Sequence, residues 1–210
     1  YWRYAFVIFG AVYLCPQRRG QFDRDTVIAF LDYSAAFDSV DRQSLWGLLK
    51  LCGIPGVFIT LINNCYNASK CRVRAYGELS EEFEVTTGVR QGDVLSPILF
   101  LRAVDWVMKQ CTVGSGVSVG ENVNVAHLEY ADDIALLEET VPRLQAAVDE
   151  VKKKSEMIGL NLNPGKCKIL ASGHPQQDVN IDGVPMEVVD SFPYLGSSIV
   201  ASGDSTNVQY

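Results

Sequence analysis

The stretch 123–138, VNVAHLEYADDIALLE, decides how this chain is read. Apolar residues flank Ala131-Asp132-Asp133 on both sides, which predicts two strands, 123–130 and 134–138, with Asp132-Asp133 at the turn. Adjacent carboxylates at the edge of hydrophobic strands repel each other and resist desolvation. A second apolar run, 26–33 (TVIAFLDY), is β-branched and short; it predicts a buried strand that ends in another carboxylate, Asp32. The usual neutraliser of clustered aspartates is a hard divalent cation bound through oxygen. Taken alone, an Asp-Asp pair is an ordinary exposed turn. A chain that gathers Asp32, Asp132 and Asp133 is a candidate for two-metal phosphoryl chemistry.

Working outward, Asp38 or Ser39 supplies an N-cap signal, and 41–52 (DRQSLWGLLKLC) places Leu45, Leu48, Leu49 and Cys52 on one helical face. Gly53 stops that helix. Pro55 starts another, with Val57, Phe58, Leu61, Ile62 and Cys65 expected to face inward. Residues 71–76 and 82–87 alternate about Gly77 and predict a β-hairpin. A loop with two glycines, 87–93 (TGVRQGD), leads into Leu95-Ser96-Pro97 and a helix running to about Gln110. Residues 112–122 read as a loop, 142–158 as an amphipathic helix closed by Gly159, and 166–171, 179–181 and 194–200 as short strands. The order β-α-α-β-β-α-β-β-α-β predicts an α+β layer, an antiparallel-rich sheet with helices packed on one face. Such a layer sets the end of the first strand beside the turn of a central hairpin. Asp32 and Asp132, a hundred positions apart, would then meet.

The bulk properties bound the function. The chain of 210 residues is 48% apolar and 20% charged, the profile of an ordinary globular protein able to bury a large core. Its net charge of −7 excludes a generally basic nucleic-acid-binding domain and leaves room only for a local basic face. The six cysteines make no C-x-x-C pair and only His127 and His174 accompany them, so the pattern is not that of a zinc site. Reduced thiols point to an intracellular compartment, nucleus or cytoplasm. The apolar run 4–15 (YAFVIFGAVYLC) is shorter than the ~18 residues a membrane span needs and is expected to be a buried helix. The chain starts at Tyr1 without a methionine, which suggests a piece of a longer polypeptide. The sequence shows no internal repeat; the stretch 174–190, with Pro175 and Pro185, is the one weak boundary.

Read in order, the motifs are a strand with Ala29-Phe30-Leu31-Asp32 followed by Ala36-Phe37-Asp38-Ser39-Val40, then 87–100 (TGVRQGDVLSPILF), then 130–137 (YADDIALL). After these come Gly159-Leu160-Asn161-Leu162-Asn163 with Lys166-Cys167-Lys168, and Tyr194-Leu195-Gly196-Ser197. Over roughly residues 26–200 this series resembles the reverse transcriptase of non-LTR (LINE-type) retroelements. The resemblance implies a polymerase palm with partial fingers and no thumb: residues 1–25 a fingers segment, 26–200 the palm with finger insertions, 201–210 a tail. It implies an RNA-directed DNA polymerase that uses an RNA template, a DNA primer and dNTP, without a membrane and with the oligomeric state open.

By that resemblance Asp32 and Asp132 are primary ligands of two Mg²⁺ ions, with Mn²⁺ as the alternative; Asp133 is the third carboxylate and the Tyr33 carbonyl an extra ligand. Phe37 would be the steric gate under the sugar. Gln91 and Gly92, with Arg90, would position nucleotide and template, where a helix N-terminus favours phosphate. Lys166 would touch the triphosphate or protonate the leaving pyrophosphate. Tyr194, Leu195 and Gly196 resemble the hairpin that grips the primer end. Cys167 stands where this motif commonly has threonine. Upstream basic residues are limited to Arg3, Arg18, Arg19 and Arg24, leaving Arg72 and Arg74 as further candidates. The competing reading is a catalytically inactive, retroelement-derived palm that keeps every motif.

Overall fold

The computed structural model describes residues 26–67, 69–111, 114, 116–120, 123–171, 177–194 and 197–200. Strand β1 (Val27–Leu31) is buried at every position, as its unbroken apolar sequence requires. A short helix α1 (Ala36–Ser39) follows, which the sequence reading did not anticipate. The cap of α2 (Arg42–Leu51) is neither Asp38 nor Ser39 but Asp41, whose carboxylate accepts the Ser44 N–H at 2.7 Å and is held below the usual range by the Ser44 hydroxyl and then by that N–H. Leu45, Leu48 and Leu49 are buried on α2 as expected, while Cys52 lies outside it and is exposed.

Helix α3 (Gly56–Tyr66) departs furthest from expectation. Val57, Phe58, Leu61 and Cys65 are exposed; Tyr66 is buried, and Ile59 and Ile62 pack against the core. Thr60, Asn63 and Asn64 share one side of the helix and its apolar residues spread over a broad arc opposite, so periodicity could not say which part of that arc turns inward. The hairpin predicted around Gly77 exists as two short ladders. β2 (Lys70–Cys71) pairs with β5 (Phe83–Glu84), and β3 (Arg74–Ala75) with β4 (Glu78–Leu79), all exposed. α4 (Ser96–Gln110) opens on Pro97 as predicted.

Part of the expected 112–122 loop is strand: β6 (Val117–Gly120) pairs with β7 (Val123–Val125). β8 (His127–Tyr130) and β9 (Asp133–Glu138) form the central hairpin, so the turn is Ala131-Asp132, and Asp133 is already in the strand. α5 (Val141–Glu156) is closed by a turn in which Leu160 N–H reaches back to the Ser155 carbonyl. β10 (Lys168–Ala171), β11 (Asn180–Ile181), β12 (Val184–Pro185), β13 (Glu187–Val188), β14 (Ser191–Tyr194) and β15 (Ser197–Val200) complete the order. The apolar run 4–15, the rest of the 1–25 segment and the 201–210 tail lie outside the described residues.

The main sheet runs β13-β10-β1-β9-β8. β1 is central and antiparallel to both neighbours, from Val27↔Glu138 to Leu31↔Ile134 on one side and from Val27↔Ala171 to Phe30↔Lys168 on the other. Only β10–β13 is parallel. Alternation sorts the strand residues onto two faces. Val27, Ala29, Leu31, Ile134, Leu136, Ile169 and Ala171 join the larger core beneath the helices. Ile28, Phe30, Ala135, Leu137 and Leu170 meet Tyr194, Ile199 and Val117 on the other face. There Phe192 stacks on Phe30 at 4.1 Å. The α+β expectation is met, with helices on one face and the β14–β15 hairpin covering the other. Burying each such Leu or Phe contributes about 1.5–3 kcal/mol, so β1, between two cores, is the least movable strand.

Candidate active site

The carboxylates meet where β1 and β9 end. The β1–β9 pairing ends at Leu31↔Ile134, and one further step along the same register brings Asp32 across from Asp133. Tyr130 pairs with Asp133 to close the β8–β9 turn, which carries Asp132 at its tip. Ala131 holds that turn at φ 58°, a left-handed conformation that costs an alanine about 1–2 kcal/mol. Asp132 and Asp133 stay open to solvent. Partial burial, then the charge of Asp132, then that of Asp32, push the Asp133 carboxyl above the usual range. The three aspartates therefore share one field.

The Asp32 backbone is held from the strand beside it. Cys167 Sγ accepts the Asp32 N–H at 3.3 Å and faces its carbonyl at 3.6 Å, while Asn163 N–H donates to the same carbonyl at 2.8 Å. Ser34 N–H donates to the Asn161 carbonyl at 2.8 Å. These bonds straddle the Tyr33–Leu162 bridge and leave the Tyr33 carbonyl outside the pair. The Tyr33 ring points into the core, where its hydroxyl shares a 2.7 Å hydrogen bond with Ser155 Oγ and burial pushes its pKa to about 12. Asp32 Oδ1 is buried without a hydrogen-bond partner, and the Lys166 ammonium stands 3.6 Å away.

Among the described residues no group of three or more His, Cys, Asp or Glu side chains is arranged to hold a metal ion. The aspartates are gathered at one edge without forming a closed cage, and Lys166 supplies the counter-charge. The donor set still fits Mg²⁺. It is all oxygen, it includes an orphaned carboxylate oxygen, and Mg²⁺ is usually bound through one or two carboxylates plus substrate phosphates and water.

The second half of the site is the 87–93 loop. Gly88 N–H donates to the Val40 carbonyl at 2.8 Å and Val89 N–H to the Phe37 carbonyl at 2.7 Å. Gly88 has φ +75°, and a Cβ there would fall 2.6 Å from Asp38 Cα. The loop thus lies directly on the backbone of α1, and Phe37 and Gln91 belong to one unit. Phe37 is half-buried and stacks on Phe100 at 4.7 Å and 16°. Gln91 and Gly92 are exposed beyond it. Arg90 turns back: its Nη2 donates to Ser69 Oγ at 2.8 Å and its guanidinium lies 5.4 Å from the Tyr66 ring centre. Arg72 pairs with Glu82 at 3.0 Å, and Arg74 lies on exposed β3.

At the far end of the series, Tyr194 is a core residue of the other sheet face. It is 2% exposed and tilts against Phe30 at 5.4 Å. Burial, and then the charge of Asp133, push its hydroxyl well above the usual range. Leu195 and Gly196 lie outside the described residues. Two backbone partners of Asp32, Asn163 and Cys167, do not show as such in the sequence. A cysteine between two lysines and an asparagine in a turn carry no sign of a partner more than a hundred residues away.

The reverse transcriptase (RNA-dependent DNA polymerase) family matches residues 15–199. The chain is 33% identical over 192 residues to the retrovirus-related Pol polyprotein of the type-2 retrotransposable element R2DM of Drosophila melanogaster, covering 86% of this chain and 18% of that protein. It is 31% identical to the RNA-directed DNA polymerase from mobile element jockey of Drosophila funebris, over 80% of this chain and 19% of that one. The chain thus spans about a fifth of the length of these relatives. Among solved structures, apo telomerase from Candida tropicalis truncated from its C-terminal domain superposes with a TM-score of 0.61 at 14% identity, over 95% of this chain and 38% of that one. That likeness shows the fold, an α+β palm.

Proposed function

Because the chain belongs to the reverse transcriptase family, we propose that it is the palm of an RNA-directed DNA polymerase of a non-LTR retroelement. The observation that carries this reading is the meeting of Asp32 with Asp132-Asp133 across β1 and β9, with the Asp133 carboxyl pushed up by partial burial and then by the charges of Asp132 and Asp32. In the reaction the primer 3′-hydroxyl gives its proton to water as its oxygen bonds the α-phosphorus of a dNTP, the α–β phosphoanhydride P–O bond breaks, and pyrophosphate leaves. Asp32, Asp132, Asp133 and the Tyr33 carbonyl would hold two Mg²⁺ ions, which lower the pKa of the attacking hydroxyl and neutralise the leaving oxygens.

The remaining roles fall to the chain's own side chains. Phe37, stacked on Phe100, would set its ring against a ribose 2′-hydroxyl. Gln91 and Gly92 offer an exposed backbone to the nucleotide and the templating RNA. Lys166, 65% exposed and 3.6 Å from Asp32, would give a proton to pyrophosphate. One telomerase likeness at TM-score 0.58 was solved with a fragment of its telomeric RNA, which supports a fold suited to RNA templates. The five free cysteines among the described residues support a reducing, intracellular location.

The test is primer extension by the whole polypeptide carrying this chain, on an RNA template with a DNA primer, dNTP and Mg²⁺. Extension is expected, and Asp132→Ala should abolish it. Extension that survives the substitution refutes the assignment of the carboxylates. A folded wild-type protein that does not extend refutes the polymerase in favour of the inactive palm.

A further inference from the structure

Arg42 is the first residue of α2, is 7% exposed, and among the described residues faces no carboxylate at ion-pair distance. Its Nε donates to the Gly88 carbonyl at 2.8 Å. Its Nη1 donates to the Val85 carbonyl at 2.7 Å and to the Tyr66 carbonyl at 3.3 Å. The guanidinium also lies 5.1 Å from the Tyr66 ring centre. The same ring carries Arg90 at 5.4 Å, and its hydroxyl shares a 3.0 Å hydrogen bond with Ser96 Oγ at the start of α4.

One buried side chain therefore ties together the end of α3, the strand-like stretch after β5, and the loop that rises to Gln91-Gly92. The adjoining β2–β5 and β3–β4 ladders are two residues long and exposed, so they cannot fix that loop. A planar fork of donors suits three carbonyls in fixed directions; a lysine ammonium, a point charge on a flexible stem, does not. A cavity of about 240 Å³ bounded by Asp41, Arg42, Trp46, Tyr66, Glu84 and Thr86 opens beside the guanidinium.

We propose that Arg42 is a positioning residue for the incoming nucleotide: it fixes the backbone of residues 85–88 against the start of α2 and the end of α3, and so, with the Gly88–Val40 and Val89–Phe37 backbone bonds, fixes Gln91-Gly92 relative to Phe37. The nucleotide part rests on the polymerase reading above; the anchoring part does not.

Two measurements on Arg42→Gln and Arg42→Lys, in the whole polypeptide carrying this chain, separate them. In hydrogen exchange, amides of residues 85–92 should exchange about tenfold faster than in wild type, while β1 and β9 keep their protection. In primer extension, the KM for dNTP should rise about tenfold, with kcat within about threefold and the KM for template-primer unchanged. Millimolar guanidinium, entering the cavity beside residue 42, should restore the KM of Arg42→Gln; urea at equal concentration should not. Unchanged exchange at 85–92 overturns the anchoring. Loss of protection throughout the sheet in both variants also overturns it, because Arg42 would then support the whole fold rather than the loop. An unchanged dNTP KM in a polymerase that extends normally overturns the nucleotide role and leaves the polymerase reading intact. Localised loop exchange in a wild-type protein that does not extend refutes the polymerase reading and the nucleotide role, leaving the anchoring.

Discussion

Replacing Gly88 by alanine tests the close contact on which the site depends. Gly88 has φ +75°, and its new Cβ would sit 2.6 Å from both Asp38 Cα and Asp38 O and 2.7 Å from Asp38 C. All three are backbone atoms of α1, so no rotamer change relieves the clash. The left-handed conformation costs an alanine about 1–2 kcal/mol, and forced overpacking adds about 1–3 kcal/mol. The sum, about 2–5 kcal/mol, is a large fraction of a typical domain's 5–15 kcal/mol, roughly. Gly92→Ala is the matched control: its φ is +85° and nothing lies within 4 Å of its Cβ. Both variants lose the same unfolded-state freedom, so their difference isolates the clash. Urea unfolding should show Gly88→Ala less stable than Gly92→Ala by about 1–3 kcal/mol, and thermal unfolding should separate them by about 2–12 °C. Because the Gly88→Val40 and Val89→Phe37 hydrogen bonds must lengthen, primer extension by Gly88→Ala should fall more steeply than stability alone explains. Equal losses in the two variants would refute the claim that the loop rests on the α1 backbone.

Three further outcomes are expected. Phe37→Val should raise ribonucleotide incorporation at least about tenfold, roughly 1.4 kcal/mol of lost discrimination, and an unchanged ribonucleotide-to-deoxynucleotide ratio would remove the gate. Glu138 is fully buried at the end of β9 and, among the described residues, neither oxygen has a partner at hydrogen-bond geometry. Burial raises its pKa from 4.5, with the Gly116 amide and the Arg143 charge acting in the opposite sense. The folded state then binds more protons than the unfolded state just above pH 4.5, so stability falls as pH rises through the folded pKa. Glu138→Gln should flatten that decline and gain about 1–3 kcal/mol at pH 7 in urea unfolding; an unaltered pH profile would refute the buried charge. Finally, Cys167→Thr keeps an oxygen for the Asp32 N–H, whereas Cys167→Ala leaves it bare. Threonine should retain primer extension and alanine should lose about 1 kcal/mol of stability along with activity; equal activity would show that Cys167 does not hold Asp32.

Much of this architecture was legible because the relevant signals are local. β1, the β8–β9 hairpin, α4 after Pro97 and α5 before Gly159 each follow from periodicity and punctuation within a dozen or so residues. The failures have local causes as well. The α2 cap is Asp41 because its carboxylate, not that of Asp38, reaches an N–H three residues on. On α3 only Ile62 of the residues expected inward packs against the core, because the apolar arc opposite Thr60, Asn63 and Asn64 is wider than the face that is buried. β6 was missed in a glycine-rich stretch because its pairing with β7 shifts register between Ser118 and Gly120.

The sequence by itself determined the chemistry available: which carboxylates end which strands, which aromatic follows Asp32, and which loop precedes α4. Those are properties of residue type and order, and they carry through to the family. Only the tertiary structure decided how these groups meet. β1 pairs with β9 in one register, and a one-residue slip would turn Asp32 away from Asp133, so packing of both sheet faces sets the carboxylate geometry. The buried fork of Arg42, the thiol of Cys167 under Asp32 and the seat of Gly88 on Asp38 join residues from 24 to 135 positions apart. No local pattern encodes such contacts; they exist because the core, once packed, leaves those groups no other partners.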